Sequence, residues 1–192
     1  YPNTSLMCSP TADGAAAAVV VTAGRLRTLP TQCRDRAVKI SASVITTDPW
    51  SDGGQALPDF NTLTRNAAAA AYETAGVSPA DLDLVELHDC FATAELLHYD
   101  NLGLCEPGEA GKFIDEGHAW RDGTIPVNVS GGLLSKGHPV GATGIAGVYE
   151  VATQLRGEAG DRQVPGATVG LTHVLGLGST CAVHILERRA HA

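Results

Sequence analysis

No C-x-x-C pair occurs in this chain, and its five cysteines (Cys8, Cys33, Cys90, Cys105 and Cys181) are odd in number and widely spread. That excludes a secreted disulfide framework, and no Cys/His spacing has the form of a zinc site. A reducing, cytoplasmic setting is expected. No apolar run approaches the ~20 residues needed to cross a bilayer. Cations are scarce: 13 Lys and Arg face 21 Asp and Glu, a net charge of −8, which argues against nucleic acid or an anionic membrane as the main partner. Methionine occurs once, as Met7, and the chain opens at Tyr1 in mid-pattern. It is therefore expected to be the C-terminal part of something longer. Internal repeats and low-complexity stretches are absent too. The 192 residues, 44% hydrophobic and 18% charged, suffice for a sizeable core.

What is present alternates between short β-like runs and helical patterns. Residues 15–22 (AAAAVVVT) form a continuous small-apolar run that reads as a buried strand or a helix. Residues 38–46 alternate and are β-branched, which predicts a strand. Asn61 is the expected cap of a helix with Leu63, Ala67, Ala70 and Ala71 on its apolar face, ending at Gly76. Ser78-Pro79-Ala80-Asp81 marks a capped helical turn. A strand is expected over 82–87, a helix from the following residues through Leu102, and a long loop over 105–123. A third strand (125–129), a glycine-rich stretch (130–144) and a helix with Ile145, Val148, Ala152 and Leu155 on one face complete the middle. Strands at 167–172 and 181–186 flank a tight turn at Gly176-Leu177-Gly178 and predict an antiparallel hairpin. This order implies a layered α/β fold: a mostly parallel central sheet with helices on both faces, closed by the hairpin.

In such sheets ligands bind beyond the carboxyl ends of the strands. His88, His138 and His173 all follow predicted strands and are expected to share one crevice. Cys90, beside His88 and Asp89 at a helix N-terminus, is expected to favour its thiolate. The loop Ser130-Gly131-Gly132-Leu133-Leu134-Ser135-Lys136-Gly137-His138-Pro139 suggests a phosphate cradle but lacks the Gly-Lys-Ser/Thr ending of a P-loop. The glycines at 176 and 178 suit either a simple turn or backbone donors aimed at an oxyanion.

Four segments together resemble the C-terminal half of a thiolase: His88-Asp89-Cys90-Phe91, Asn128-Val129-Ser130-Gly131-Gly132, Lys136 through Gly144 (KGHPVGATG), and Gln154 through Gly160 (QLRGEAG). More narrowly, the chain is similar to the sterol-carrier-protein X, or lipid-transfer, type, in which H-D-C-F replaces N-E-A-F. The segment Cys8-Ser9-Pro10 with Asp13-Gly14-Ala15-Ala16-Ala17 resembles the end of the family's first half. The resemblance implies residues 1–24 as that end and 25–192 as the C-terminal domain. It implies Claisen chemistry on 3-oxoacyl-CoA thioesters, with a nucleophilic cysteine in the missing N-terminal half. His138 would be the base that activates this cysteine, His88 a donor to the thioester oxyanion, and Cys90 the acid/base that moves the α-carbon proton. Ser9, Ser130 and Gly131 would contact substrate. His173-Val174-Leu175 stand where ordinary thiolases have a C-x-G loop, so the usual second cysteine is missing; the Leu175 backbone N–H would still serve an oxyanion, with His173 and Gly176 the other loop candidates. Val174 replaces the family's asparagine. No cofactor or metal is implied beyond the coenzyme A thioester itself, and the complete protein would be a homodimer.

Three functions fit this reading: a catalytic half of a thiolase-type acyltransferase, a non-catalytic lipid- or acyl-CoA-binding subunit, or a retro-aldol lyase acting on steroid side-chain CoA esters.

Overall fold

The computed structural model describes residues 2–47, 59–176 and 180–189. Among them, two short helices, α1 (Ala23–Leu26) and α2 (Thr31–Asp35), precede strand β1 (Val38–Thr47) and the long helix α3 (Phe60–Ala75). Strand β2 (Leu84–Glu86) leads to α4 (Ala92–Asn101), α5 (Ala110–Asp115) and the five-residue α6 (Gly132–Lys136). Helix α7 (Thr143–Leu155) and the strands β3 (Val169–Gly176) and β4 (Thr180–Arg188) follow.

The sheet has the order β1-β4-β3-β2. Its layered α/β character and terminal hairpin are as the sequence predicts, but the sheet is mixed rather than mostly parallel. Strand β4 enters between β1 and β3 and runs antiparallel to both, leaving β2–β3 as the parallel ladder. The strand expected at 125–129 contributes a single parallel bridge, Val127 to Val85.

Side-chain alternation assigns the two faces. Val85, Leu171, Cys181, Val183 and Ile185 point to one side, where Leu63, Ala67 and Ala71 of α3 and Tyr99 of α4 close the larger core. Leu84 and Leu186 point to the other, against Val151 and Leu155 of α7. A Cβ at Gly170 would sit 2.5 Å from Val151 Cγ1, so glycine there lets α7 press onto the strand.

Helix α3 is capped by Asp59, whose carboxylate accepts from the Thr62 N–H at 3.1 Å, not by Asn61. Such a cap is worth about 1 kcal/mol. The helix stops at Gly76 with φ +71°. Both halves of the Ser78/Asp81 capping box form. The loop expected over 105–123 contains α5, and the glycine-rich stretch contains α6. Ile145, expected on the buried face of α7, is 40% exposed, while Val151 and Leu155 are fully buried.

The run at 15–22 is neither strand nor helix. It is irregular, with Val19 93% and Val20 72% exposed. Apolarity marks residues that need a partner surface without supplying one, and no described element pairs with them.

Candidate active site

Strand β2 ends at Glu86, and the next residues carry the candidate chemistry. Asn128 takes a left-handed conformation (φ +51°), which asparagine tolerates better than other non-glycine residues. Its Oδ1 accepts from the Leu87 N–H at 2.9 Å and its own N–H donates to the Val85 carbonyl at 2.8 Å, so the chain around 128 is stapled to the end of β2.

Two carboxylates then organise the glycine-rich segment. Glu86 is buried and accepts from the Ser130 N–H at 3.0 Å and the Ser130 hydroxyl at 2.6 Å. Lys136 Nζ lies 3.8 Å from the same carboxylate and donates to Ser130 Oγ. Burial pushes the Glu86 carboxyl up to about 6, against the opposing pull of Lys136 and the two Ser130 donors. Asp89 caps α6, accepting from the Leu133 N–H at 2.7 Å and the Leu134 N–H at 3.2 Å. Gly132 (φ +61°) runs so close that any Cβ would collide with Asp89 Oδ2.

This arrangement delivers His138. Its N–H donates to the Pro10 carbonyl at 2.8 Å, in a parallel bridge with Thr11. Its Nδ1 is 2.7 Å from Thr143 Oγ1, and that hydroxyl donates its one proton to the Pro139 carbonyl at 3.1 Å. Thr143 Oγ1 must therefore accept from His138 Nδ1–H, which leaves the Nε2 lone pair free.

The imidazoles of His88 and His138 meet edge to face, with ring centroids 5.1 Å apart. Behind them, His173 Nδ1 accepts from the His88 backbone N–H at 3.4 Å, so its Nε2 carries the proton and donates to Thr64 Oγ1 at 3.3 Å. The His98 ring packs against His173 with centroids 4.3 Å apart and planes tilted by 57°. Burial first, then the charge of the neighbouring imidazoles, pushes His88 and His98 down to about 4 and His173 far below the usual histidine range. All three are neutral at pH 7. His88, His138 and His173, expected to face one crevice beyond strand ends, form one contiguous cluster instead, with His173 inside β3 and buried behind His88. His98 and Thr64 join the cluster without having been singled out by sequence. For His98 a signal exists: it lies three residues after Glu95 and four before Leu102, on the buried side of α4.

Cys90 corrects an expectation. Burial and then the Asp89 charge raise its thiol above the ordinary value, outweighing the backbone N–H groups of Cys90 and Phe91. His88 is neutral and offers no compensating charge. The half-buried thiol is held protonated rather than as thiolate. Ser9 is tied beside it, its N–H donating to the Cys90 carbonyl at 2.9 Å, and Cys8 bridges Phe91. Ser130 and Gly131 (φ +96°) form the turn before α6. Leu175 and Gly176 close β3 opposite Cys181 and Thr180, with the Leu175 side chain packed into the larger core. Residues 177 and 178 of the expected turn lie outside the described residues.

A family profile described as "Thiolase C-terminal domain-like" matches residues 55–188. The chain belongs to the thiolase family. It is 46% identical over 193 residues to the acetyl-CoA acetyltransferase of Methanothermobacter thermautotrophicus, covering 97% of this chain and 48% of that protein. Identity to the sterol carrier protein 2 of Rattus norvegicus is also 46%, over 184 residues, covering 94% of this chain and 33% of that one. The chain thus spans about half, or a third, of these relatives. The solved structure of an Ltp2-ChsH2(DUF35) aldolase superimposes with a TM-score of 0.68 at 21% identity, covering 80% of this chain and 40% of that chain, and shows the same fold. The thiolase-type resemblance read from the motifs is therefore correct at the level of the family. No described helix is long and apolar enough to cross a membrane.

Proposed function

We propose that this chain supplies the acid–base half of a thiolase-type acyltransferase that makes or cleaves 3-oxoacyl-CoA in lipid or sterol side-chain metabolism. The observation that carries this reading is the neutral His88 edge-on to His138 at 5.1 Å, with the His138 tautomer set by Thr143. A base needs a free lone pair and an oxyanion donor needs an N–H that does not charge.

In this reading the nucleophilic cysteine comes from sequence outside the 192 residues. His138 Nε2 takes its thiol proton as sulfur attacks the thioester carbonyl, and returns that proton to the departing coenzyme A thiolate. His88 donates a ring N–H to the thioester oxygen as charge develops. Cys90, starting protonated, gives its proton to the α-carbon in cleavage; in condensation the reverse step starts from the thiolate so formed, which takes a proton back from the α-carbon. Ser9, Ser130 and Gly131 line the approach. Residues 1–24 are assigned to the end of the preceding thiolase half, 25–192 to the C-terminal domain, and the complete protein to a cytoplasmic homodimer that needs no resident cofactor.

The test is a chimera. The 192 residues replace their counterpart in the Methanothermobacter enzyme, and acetoacetyl-CoA thiolysis and acyl-enzyme mass are measured. The expected result is turnover, loss of acyl-enzyme in His138→Ala, and retained acyl-enzyme without condensation in Cys90→Ala. A folded chimera that binds coenzyme A yet never acylates overturns the catalytic reading and supports a binding subunit. Cleavage of a β-hydroxyacyl-CoA without thiolysis supports the lyase.

A further inference from the structure

The end of α7 remote from His138 opens onto a cavity. Helix α7 begins at Thr143, which holds His138, and its 13 residues carry the chain about 20 Å to Leu155. There, between the start of β1, the end of α7 and the end of β4, lies a cavity of about 440 Å³. Arg36, Arg156, Arg188 and Arg189 line it, with Asp35 and Glu158 as the acids and Ala37 and Val38 as apolar wall. Four arginines against two acids make the site +2 in a chain of −8.

Two of the arginines are held in place. Arg36 grips Glu158 with both arms of its fork, Nε to Oε1 at 2.9 Å and Nη2 to Oε2 at 2.8 Å, which neutralises that acid. Arg156 donates from Nε to the Arg36 carbonyl at 2.7 Å, which fixes its guanidinium while leaving its terminal nitrogens to other acceptors. Among the described residues, neither Arg188 nor Arg189 is in an ion pair.

We propose that this cavity is a second ligand site, for an organic diphosphate of nucleotide size. The volume falls in the range of small-molecule sites. Guanidinium forks match phosphate oxygens, and the net +2 complements a diphosphate. The wall of Ala37 and Val38 suits the organic part. Nothing in this site reaches the histidine cluster, so it stands independently of the proposed acyl transfer.

Isothermal titration of the 192-residue chain with ADP, and separately with inorganic pyrophosphate, tests the site. Binding of ADP is expected, weakening as salt rises, because exposed guanidinium–phosphate contacts are screened. Arg188→Gln and Arg156→Gln are each expected to weaken it roughly tenfold with the melting temperature unchanged in Arg188→Gln, an exposed strand-end position. His138→Ala is expected to leave the affinity as it was. Pyrophosphate binding weaker than ADP confirms the organic part; equal binding overturns that element and leaves a bare phosphate site. No binding of either, binding insensitive to Arg188→Gln, or binding lost on His138→Ala overturns the proposal.

Discussion

Thr143 stands between His138 and the Pro139 carbonyl, accepting from the imidazole at 2.7 Å and donating to the carbonyl at 3.1 Å. One hydroxyl thus determines which ring nitrogen of His138 faces the site, and the residue that does so opens the helix that follows.

Thr143→Val removes that acceptor and leaves the shape. The expected result is a mixed His138 tautomer, read from imidazole ¹⁵N shifts, and a loss of about 1 kcal/mol in stability. In the assembled enzyme acyl-enzyme formation should slow roughly tenfold, a part of the 10²–10⁴ that a general base contributes. Thr143→Ser, which keeps the hydroxyl, should restore both. An unchanged nitrogen spectrum in Thr143→Val would sink the assignment.

Gly132→Ala places a methyl group against Asp89 Oδ2 at a residue with φ +61°. It should cost about 3 kcal/mol in urea unfolding. Gly111, in α5, provides the contrast, because a methyl group there would meet nothing within 4 Å. Gly111→Ala should be neutral or stabilising by up to about 1 kcal/mol. Equal effects at the two sites would show that the Asp89 contact does not constrain the loop.

Glu86 gives a pH dependence of definite sign. Its carboxyl rises from 4.5 to about 6 on folding, because it is buried, with Lys136 opposing and Glu150 reinforcing the shift. A raised folded value means the fold binds the proton more tightly. This contribution of about 2 kcal/mol is therefore complete below pH 4.5 and is lost as pH rises through 6. Glu86→Gln should lack that component, so the wild-type and variant stability curves should diverge between about pH 4.5 and 6.5 in urea titrations. Parallel curves across that window would refute the buried-carboxyl account.

Cys90 should alkylate slowly at neutral pH, more slowly than a free thiol, since burial and Asp89 both disfavour its thiolate. Site-resolved mass spectrometry with iodoacetamide measures this against exposed Cys8 and Cys33. Asp89→Asn should speed it. Cys90 reacting faster than both exposed cysteines at pH 7 would reverse the assignment.

Periodicity makes much of this molecule legible. The alternation of 38–46 predicts β1, the β-branched runs predict the hairpin, and His88 does follow β2; His173, expected after a strand, lies inside β3, and His138 follows α6, yet both join the cluster. The remainder escapes the sequence for specific reasons. The glycines at 131, 132, 137, 141 and 144 make that stretch read as loop, yet α6 forms there because Asp89 satisfies its first N–H groups. Asn61 resembles a cap, but the carboxylate two residues earlier takes that place. The ionisation of Cys90 depends on burial and on the neutrality of His88, neither of which is written in the spacing. The place of Thr143 is set by a loop closing five residues back on itself, a contact that no periodicity encodes.

Strand β2 is three residues long and serves both layers at once: Leu84 faces α7, Val85 the larger core, and Glu86 returns to the α7 side to hold Ser130. Alternation with period two leaves no slack. A single codon gained or lost just before Leu84 would drive the carboxylate into the aliphatic core, turn Val85 toward Ser130, and carry His88 to the wrong side of the sheet. Point substitutions can be absorbed around this segment, but its length cannot drift, so evolutionary variation in insertions and deletions should be pushed outward to the loops on either side.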